Sequence, residues 1–537
     1  MKKLPGIFND VIGPVMRGPS SSHTAASWRI AKTALDILNE PLEKALIEFD
    51  KDGAWAPNFR EQGTTMGIDG GLLGLDITDE RMKVAGSYAR QKGITIEYQI
   101  SSFPTNHANT VRLTLLGTSQ KKIQLIAVSL GGGSFEIRSV NGFPVQMSGD
   151  LYGMFIFTKN KHDLSEDFKS VSLPEIEFLS EQKDDIIKYE WKSSHPFSSE
   201  LITKLKNNPD LDEIAIVNPI MPVIGGRQTE MPFTTVKSLI DYAEVKGADL
   251  GDLGLIYEKY ISGISEKELI LKMKEMIQII HKSIDTGLKG THYEDRILQQ
   301  QSHLIEKAEK EGKIKDSIVN RIIANVSALM ESKSAMEVVV AVPTAGSCGT
   351  VGGALRAVAE NIGSSNDELI KAYYAAGIVG AYFAQGPGFS AEEHGCQVEC
   401  GAAAGMAAAG IVQLMGGTAK QALGAASMAI QNMIGLVCDP VADRVEVPCL
   451  GKNISAAVNA YSSAIMSISG YDSVIPLNQV IQTVSRVSKT MPNCNKCTGK
   501  GGLAITETAI YLKNKLKGIS TLESLKKMDL SIDVTNE

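Results

Sequence analysis

Every cysteine of this 537-residue chain, seven in all, falls between Cys348 and Cys497, in a stretch dense in Ala and Gly. That clustering constrains the fold more than any other feature. Small side chains let helix backbones approach closely, and a clustered, odd set of thiols makes a poor disulfide framework. Cys348, Cys396, Cys400, Cys438, Cys449, Cys494 and Cys497 therefore read as reduced thiols that ligate metal or do chemistry. The most apolar run, Gly401 to Gly417, is shorter than a usual membrane span and reads as a buried helix. The N-terminus opens with two lysines, but Pro5, Asn9, Asp10 and Pro14 interrupt any export core, so a cytoplasmic protein is expected. The net charge of −7, with Lys and Arg scattered, leaves no basic footprint for nucleic acid or membrane.

The length exceeds what one hydrophobic core holds. An α+β multi-domain fold is expected. Residues 1–150 mix a helix after His23 with strand-like runs KALIEFD, ITIEYQI, TVRLTLLG and IQLIAVSL, and a turn at Gly131 to Gly133. Residues 151–225 alternate in the order βαββαβ, the split arrangement of a small ACT-like domain. Residues 232–515 read as mostly α-helical, from EKELILKMKEMIQIIHKSI to the Ala/Gly-rich segments. Residues 516–537 read as a charged tail.

Two features carry chemistry. Cys438-Asp-Pro looks like a helix end running into a loop, and Cys449 lies on that loop's far side. Such a loop can bring both sulfurs to one point, with Cys396 as a third at a helix N-terminus. Three thiolates beside oriented N–H groups suit an iron–sulfur cluster; buried small hydrophobes in a tight core are the competing reading. In the other half, Ser20, Ser21, Ser22, His23 and Thr24 precede a helix. Its exposed N–H groups favour an anion, and the hydroxyls add hydrogen bonds to a carboxylate. Simple capping would need one hydroxyl, and four are present.

The motifs PTAGSCG, HGCQVECGAAAGMAAAG, GLVCDPV, VPCLGKN and KGGLA resemble the α region of iron–sulfur L-serine dehydratases. GPSSSHTA, HANTVR and SLGGGSFEI resemble the β region, in the same β-then-α order. The resemblance implies a [4Fe–4S] cluster on Cys396, Cys438 and Cys449, with Cys348 not a ligand. It implies substrate binding by Ser20, Ser21, Ser22, His23, Thr24, Asn109 and Thr110, with His23 and His107 the candidate bases. His394 either neighbours the cluster or caps a helix, and Lys496 and Thr498 precede GGLA.

The implied reaction is dehydration and deamination of L-serine to pyruvate and ammonia by a homodimeric lyase of amino-acid degradation and gluconeogenesis. An open iron would take the β-hydroxyl, and no PLP is invoked. Three departures stand out. Met66 replaces a histidine in a Gly-His-Gly-Thr-Asp segment. Cys494 and Cys497 add a CxxC, which opens a rival ligand set of Cys396, Cys400, Cys494 and Cys497. The chain ends DLSIDVTNE, so blocking of the cluster by a terminal thiol is not expected. The alternatives are a related [4Fe–4S] lyase acting on another β-hydroxy or β-thiol amino acid or hydroxy acid, and a cluster-based sensor without catalysis.

Overall fold

The computed structural model describes residues 4–159, 176–209, 211–225, 231–294 and 296–518. The helix expected near LSEDFKSV and most of the charged tail lie outside them.

Alternating apolar residues build the first sheet. It contains β2 (Leu42–Asp50), β3 (Thr95–Ser101), β4 (Thr110–Gly117), β5 (Lys122–Gly131), β6 (Ser134–Val140) and β7 (Phe143–Met147), in the order β3-β2-β4-β5-β6-β7. Only β2 and β3 run parallel. Ala45, Ile47, Phe49, Val111, Leu113 and Leu115 point to one face, where helix Ala26–Leu38 lays Ile30, Ala34 and Ile37 on them. The glycine turn joins β5 to β6, and Gly131, Gly132 and Gly133 all take positive φ there.

The second sheet contains β8 (Tyr152–Thr158), β9 (Ile176–Lys183), β10 (Ile186–Ser193) and β11 (Glu213–Val217), in the order β11-β8-β10-β9, all antiparallel. Counting strands from β8, this is the 4-1-3-2 order that a βαββαβ chain produces. Its faces are divided. Met154 and Ile156 pack with Trp191 and Leu201 of helix Ser199–Lys206, while Phe155, Phe157, Ala215 and Val217 join the core of the first sheet.

The helical half is built around helix Cys400–Leu414, whose Ala and Gly residues are buried on every side. Helices Cys348–Ile362, Asn366–Ala384, Ala419–Gln431 and Cys449–Ile468 surround it. The close approach requires glycine: a Cβ on Gly405 would stand 2.6 Å from Ile430, and one on Gly410 2.8 Å from Leu355.

The two halves are sewn together by the first residues of the chain. Ile7, Phe8, Val11 and Ile12 are buried in the helical core rather than under the first sheet. The physical reason is a groove on helix Asn366–Ala384, where Gly377 and Gly380 leave room for Ile7 and Val11. β1 (Val15–Arg17) then pairs antiparallel with β12 (Val338–Val340).

Candidate active site

The hydroxyl-rich segment forms one wide helical turn, Ser21–Ala25, leading directly into helix Ala26–Leu38. No hydroxyl makes a side-chain capping bond there. Instead the hydroxyls reach out to other segments. Ser21 Oγ accepts the N–H of Ala345 at 3.1 Å, and Ser22 Oγ donates to Glu392 Oε1 at 2.7 Å. Thr24 Oγ1 donates to the carbonyl of Gln62. Two of these bonds cross to the helical half, one to the PTAGSCG loop and one to the segment just before Cys396.

His23 lies fully buried in this turn. Its Nδ1 is 3.1 Å from Ser20 Oγ and 3.2 Å from Ser22 Oγ, and its Nε2 is 3.1 Å from Asn58 Oδ1. Trp55 lies against the ring with centroids 5.5 Å apart. Burial lowers the His23 pKa, with Glu392 and Asn58 pulling the other way. The imidazole is therefore biased toward its neutral form, the state a base requires. His107 is also lowered, chiefly by burial; its Nδ1 accepts the Asn109 N–H at 3.1 Å and its Nε2 lies 3.6 Å from Glu393. Thr110 Oγ1 donates to the His107 carbonyl, while both polar atoms of the buried Asn109 side chain lack a partner among the described residues.

Five of the thiols, Cys396, Cys400, Cys438, Cys449 and Cys497, gather in the helical half. Cys396 opens a tight turn after Gly395, whose φ is +77°. Cys438 is not at a helix end, as its Asp-Pro suggests. Helix Ala419–Gln431 finishes earlier, and Cys438 lies in extended chain paired in parallel with Lys496. Its N–H donates to Asn495 O at 2.9 Å, and its carbonyl accepts the Cys497 N–H at 3.1 Å. Cys449 begins helix Cys449–Ile468. Asn453, one turn on, donates to the carbonyls of Cys449 (2.9 Å) and Gly346 (2.7 Å) and touches Cys400 Sγ at 3.8 Å. One side chain thus ties three cysteine-bearing segments together.

Sγ of Cys396, Sγ of Cys438 and a carboxylate oxygen of Glu399 all lie within 4.8 Å of one another. Cys497 hydrogen-bonds to Cys438, and Cys449 is close enough to Cys396 for their charges to interact. Hydrogen bonding to Cys396 and Cys497, then burial, pushes the Cys438 thiol well up. Burial does the same for Cys449, Cys400 and Cys348. Buried thiols that resist ionisation in the free protein become thiolates on meeting a metal, which takes their protons' place. Two cations offset the resulting charge. Lys333 is wholly buried and donates to the Val445 carbonyl; Lys452 donates to Val437 O at 2.7 Å and Asp439 Oδ1 at 2.5 Å. Asp439 Oδ2 accepts the Leu503 N–H at 3.0 Å, which docks the GGLA segment here. These soft, reduced, buried and cation-flanked donors fit an iron–sulfur group.

The CxxC divides. Cys497 is buried in the group and Cys494 is exposed, so the rival set of Cys396, Cys400, Cys494 and Cys497 is not assembled as one buried site. Met66 is buried on helix Thr64–Leu72 and lines a recess of about 320 Å³ with Pro19, Arg60 and Arg444. A larger cleft of about 820 Å³ opens between the two halves, with Gly53, Ala108, Glu392, Lys496 and Lys500 among its walls. His394 contributes to the same cleft.

Sequence reasoning missed Glu392, Glu399, Asn58, Lys333 and Lys452. The signals were there in part: two glutamates just before Cys396, one just after it, and a lysine in GKN after Cys449. Burial pushes the Glu399 carboxyl up to about 7 against a hydrogen bond from Thr344.

The fold and site define a two-part α+β protein in which a helical half presents a buried thiol centre to a hydroxyl-rich turn of its partner half. The serine dehydratase alpha chain model matches residues 161–504, and the chain belongs to that family. It is 33% identical over 287 residues to the probable L-serine dehydratase alpha chain of Bacillus subtilis, covering 53% of this chain and 96% of that one. It is 38% identical over 159 residues to the probable beta chain from the same organism, covering 30% of this chain and 70% of that one. Against L-serine dehydratase 1 of Escherichia coli the identity is 31% over 282 residues, 51% of this chain and 62% of the relative. No helix among the described residues is long and apolar enough to cross a membrane.

Proposed function

We propose that this protein is a [4Fe–4S]-dependent lyase that dehydrates and deaminates L-serine to pyruvate and ammonia. One observation carries the reading: the Ser22 hydroxyl bonds to Glu392, four residues before Cys396, which brings the hydroxyl-rich turn against the segment that leads into the thiol group. The names of the relatives support the substrate.

Cys396, Cys438 and Cys449 would hold the cluster. When bound, it supplies a Lewis acid for a substrate hydroxyl. Ser20, Ser21, Ser22 and Thr24 receive the carboxylate at the start of helix Ala26–Leu38, and Asn109 and Thr110 also bind the substrate. His23, kept neutral by burial, takes the α-proton on its ring nitrogen, and His107 is the second candidate. Trp55 covers His23 and keeps bulk water off it. The enamine product leaves, tautomerises and hydrolyses to pyruvate and ammonia.

The test is anaerobic purification, iron and sulfide analysis, and a pyruvate assay with L-serine. Changing Cys396, Cys438 or Cys449 singly to Ala abolishes both iron retention and activity. Full activity in any one variant removes that residue from the cluster. A second reading, a lyase for another β-substituted amino acid, is favoured by Met66 in place of the family histidine. Release of ammonia or sulfide from a substrate panel separates the two.

A further inference from the structure

Among the described residues, Glu392 is a buried acid beside the hydroxyl-rich turn with no Lys or Arg paired to it. Its side chain is 4% exposed. Oε1 accepts from Ser22 at 2.7 Å and Oε2 from Ser390 at 3.0 Å. Among the described residues His23, 3.7 Å away, is the one basic group within ion-pair distance, His107 acts on it from farther off, and no Lys or Arg nitrogen pairs with it. Burial biases His23 toward the neutral form, so it is a poor counterion. A buried carboxyl group held mainly by hydroxyls is a ready partner for a cation placed against it.

We propose that Glu392 receives the α-ammonium of the substrate and sets the preference of this site for amino acids over hydroxy acids. The inference rests on the amino-acid lyase reading above. Ser22 touches Glu392 from the turn that would hold the carboxylate, and Cys396 follows Glu392 in the chain. A small amino acid can therefore place its carboxylate, ammonium and β-hydroxyl on three adjoining groups.

Two further observations point to a polar ligand at this place. Glu392 lines the 820 Å³ cleft rather than packing into a closed core. Nearby polar groups are buried without partners among the described residues: the indole N–H of Trp55, which lies against His23, and both side-chain polar atoms of Asn109, next in the chain to the cleft-lining Ala108. The neighbouring Glu393 is the weaker candidate. It is 41% exposed and stands near His107 and His394.

The test uses the full chain, loaded with its cluster and kept anaerobic. Calorimetry compares L-serine with 3-hydroxypropanoate, which keeps the carboxylate and β-hydroxyl but lacks the ammonium. The wild type binds L-serine more tightly. In Glu392→Gln that lead falls about tenfold or more while 3-hydroxypropanoate binds as before. Glu392→Asp, which keeps the charge, recovers part of the lead. Equal binding of both ligands by the wild type, or equal weakening of both in Glu392→Gln, overturns the proposal. Should Glu392→Gln not fold, the wild-type ratio and the Asp variant still decide. A normal serine preference with no pyruvate formed removes the lyase reading and leaves the role of Glu392 intact.

Discussion

Glu258 shows how much one buried group can disclose. It lies in helix Leu250–Ser262 and accepts the Ile7 N–H at 2.5 Å, holding the N-terminal segment in its groove. Burial raises its pKa from 4.5 to about 8, with N–H bonds from Ile7 and Phe8 opposing. The folded protein therefore keeps a proton that the unfolded chain releases. This contribution to stability is complete below pH 4.5 and is lost as pH climbs through about 8. The thermal midpoint should fall across that window in wild type and fall less steeply in Glu258→Gln; parallel profiles would rule this out. The two CxxC thiols supply a contrast at the same scale. Cys497 is buried against Cys438 and Cys494 is exposed. Cys497→Ala should weaken iron retention about 10- to 100-fold, as loss of a group supporting a metal ligand does, while Cys494→Ala should change it little. Iron content after timed chelator challenge distinguishes them.

At the scale of elements, two glycines with opposite surroundings make a paired prediction. Gly67 lies in helix Thr64–Leu72 where it crosses the hydroxyl-rich turn, and a Cβ there would stand 2.1 Å from Ser27 Oγ and 2.4 Å from the Thr24 carbonyl. Gly67→Ala should destabilise by about 1–3 kcal/mol and weaken serine binding, because backbone must move. Gly451, in helix Cys449–Ile468, has nothing within 4 Å of its Cβ position. Gly451→Ala should stabilise by about 0.5–1 kcal/mol through helix propensity alone. Denaturant unfolding of both variants checks the signs. Elements were also the level at which the sequence spoke most clearly. β2, β4 and β5 announce themselves because alternation is a local property of half-buried strands. Cys438 does not, because its extended backbone depends on a parallel pairing with Lys496, far along the chain. Glu392 and Glu399 were illegible for a related reason. A glutamate beside a helix reads as solvated, and only tertiary packing reveals that Glu392 is buried and Glu399 half-buried beside Cys396 and Cys438.

For the whole molecule, the proposed site draws its residues from both halves. Ser21 bonds to Ala345, Ser22 to Glu392 and Ile7 to Glu258, each across the junction. Four large apolar residues of the first half, Ile7, Phe8, Val11 and Ile12, lie at most 1% exposed in the core of the second. At roughly 1.5–3 kcal/mol for each such side chain, their burial alone favours association by about 6–12 kcal/mol before entropy is counted. β1 and β12 add a backbone pairing of three residue pairs. Covalent linkage should therefore be dispensable. A chain cut between positions 225 and 231 and expressed as two pieces should co-purify as a one-to-one complex that binds L-serine. Truncating the first piece to begin at position 14 removes the four buried residues and should abolish co-purification. If the truncated pair associates as tightly as the full-length pair, the N-terminal segment is not what holds the halves together, and the polar contacts around Ser21, Ser22 and Glu392 must carry the junction instead.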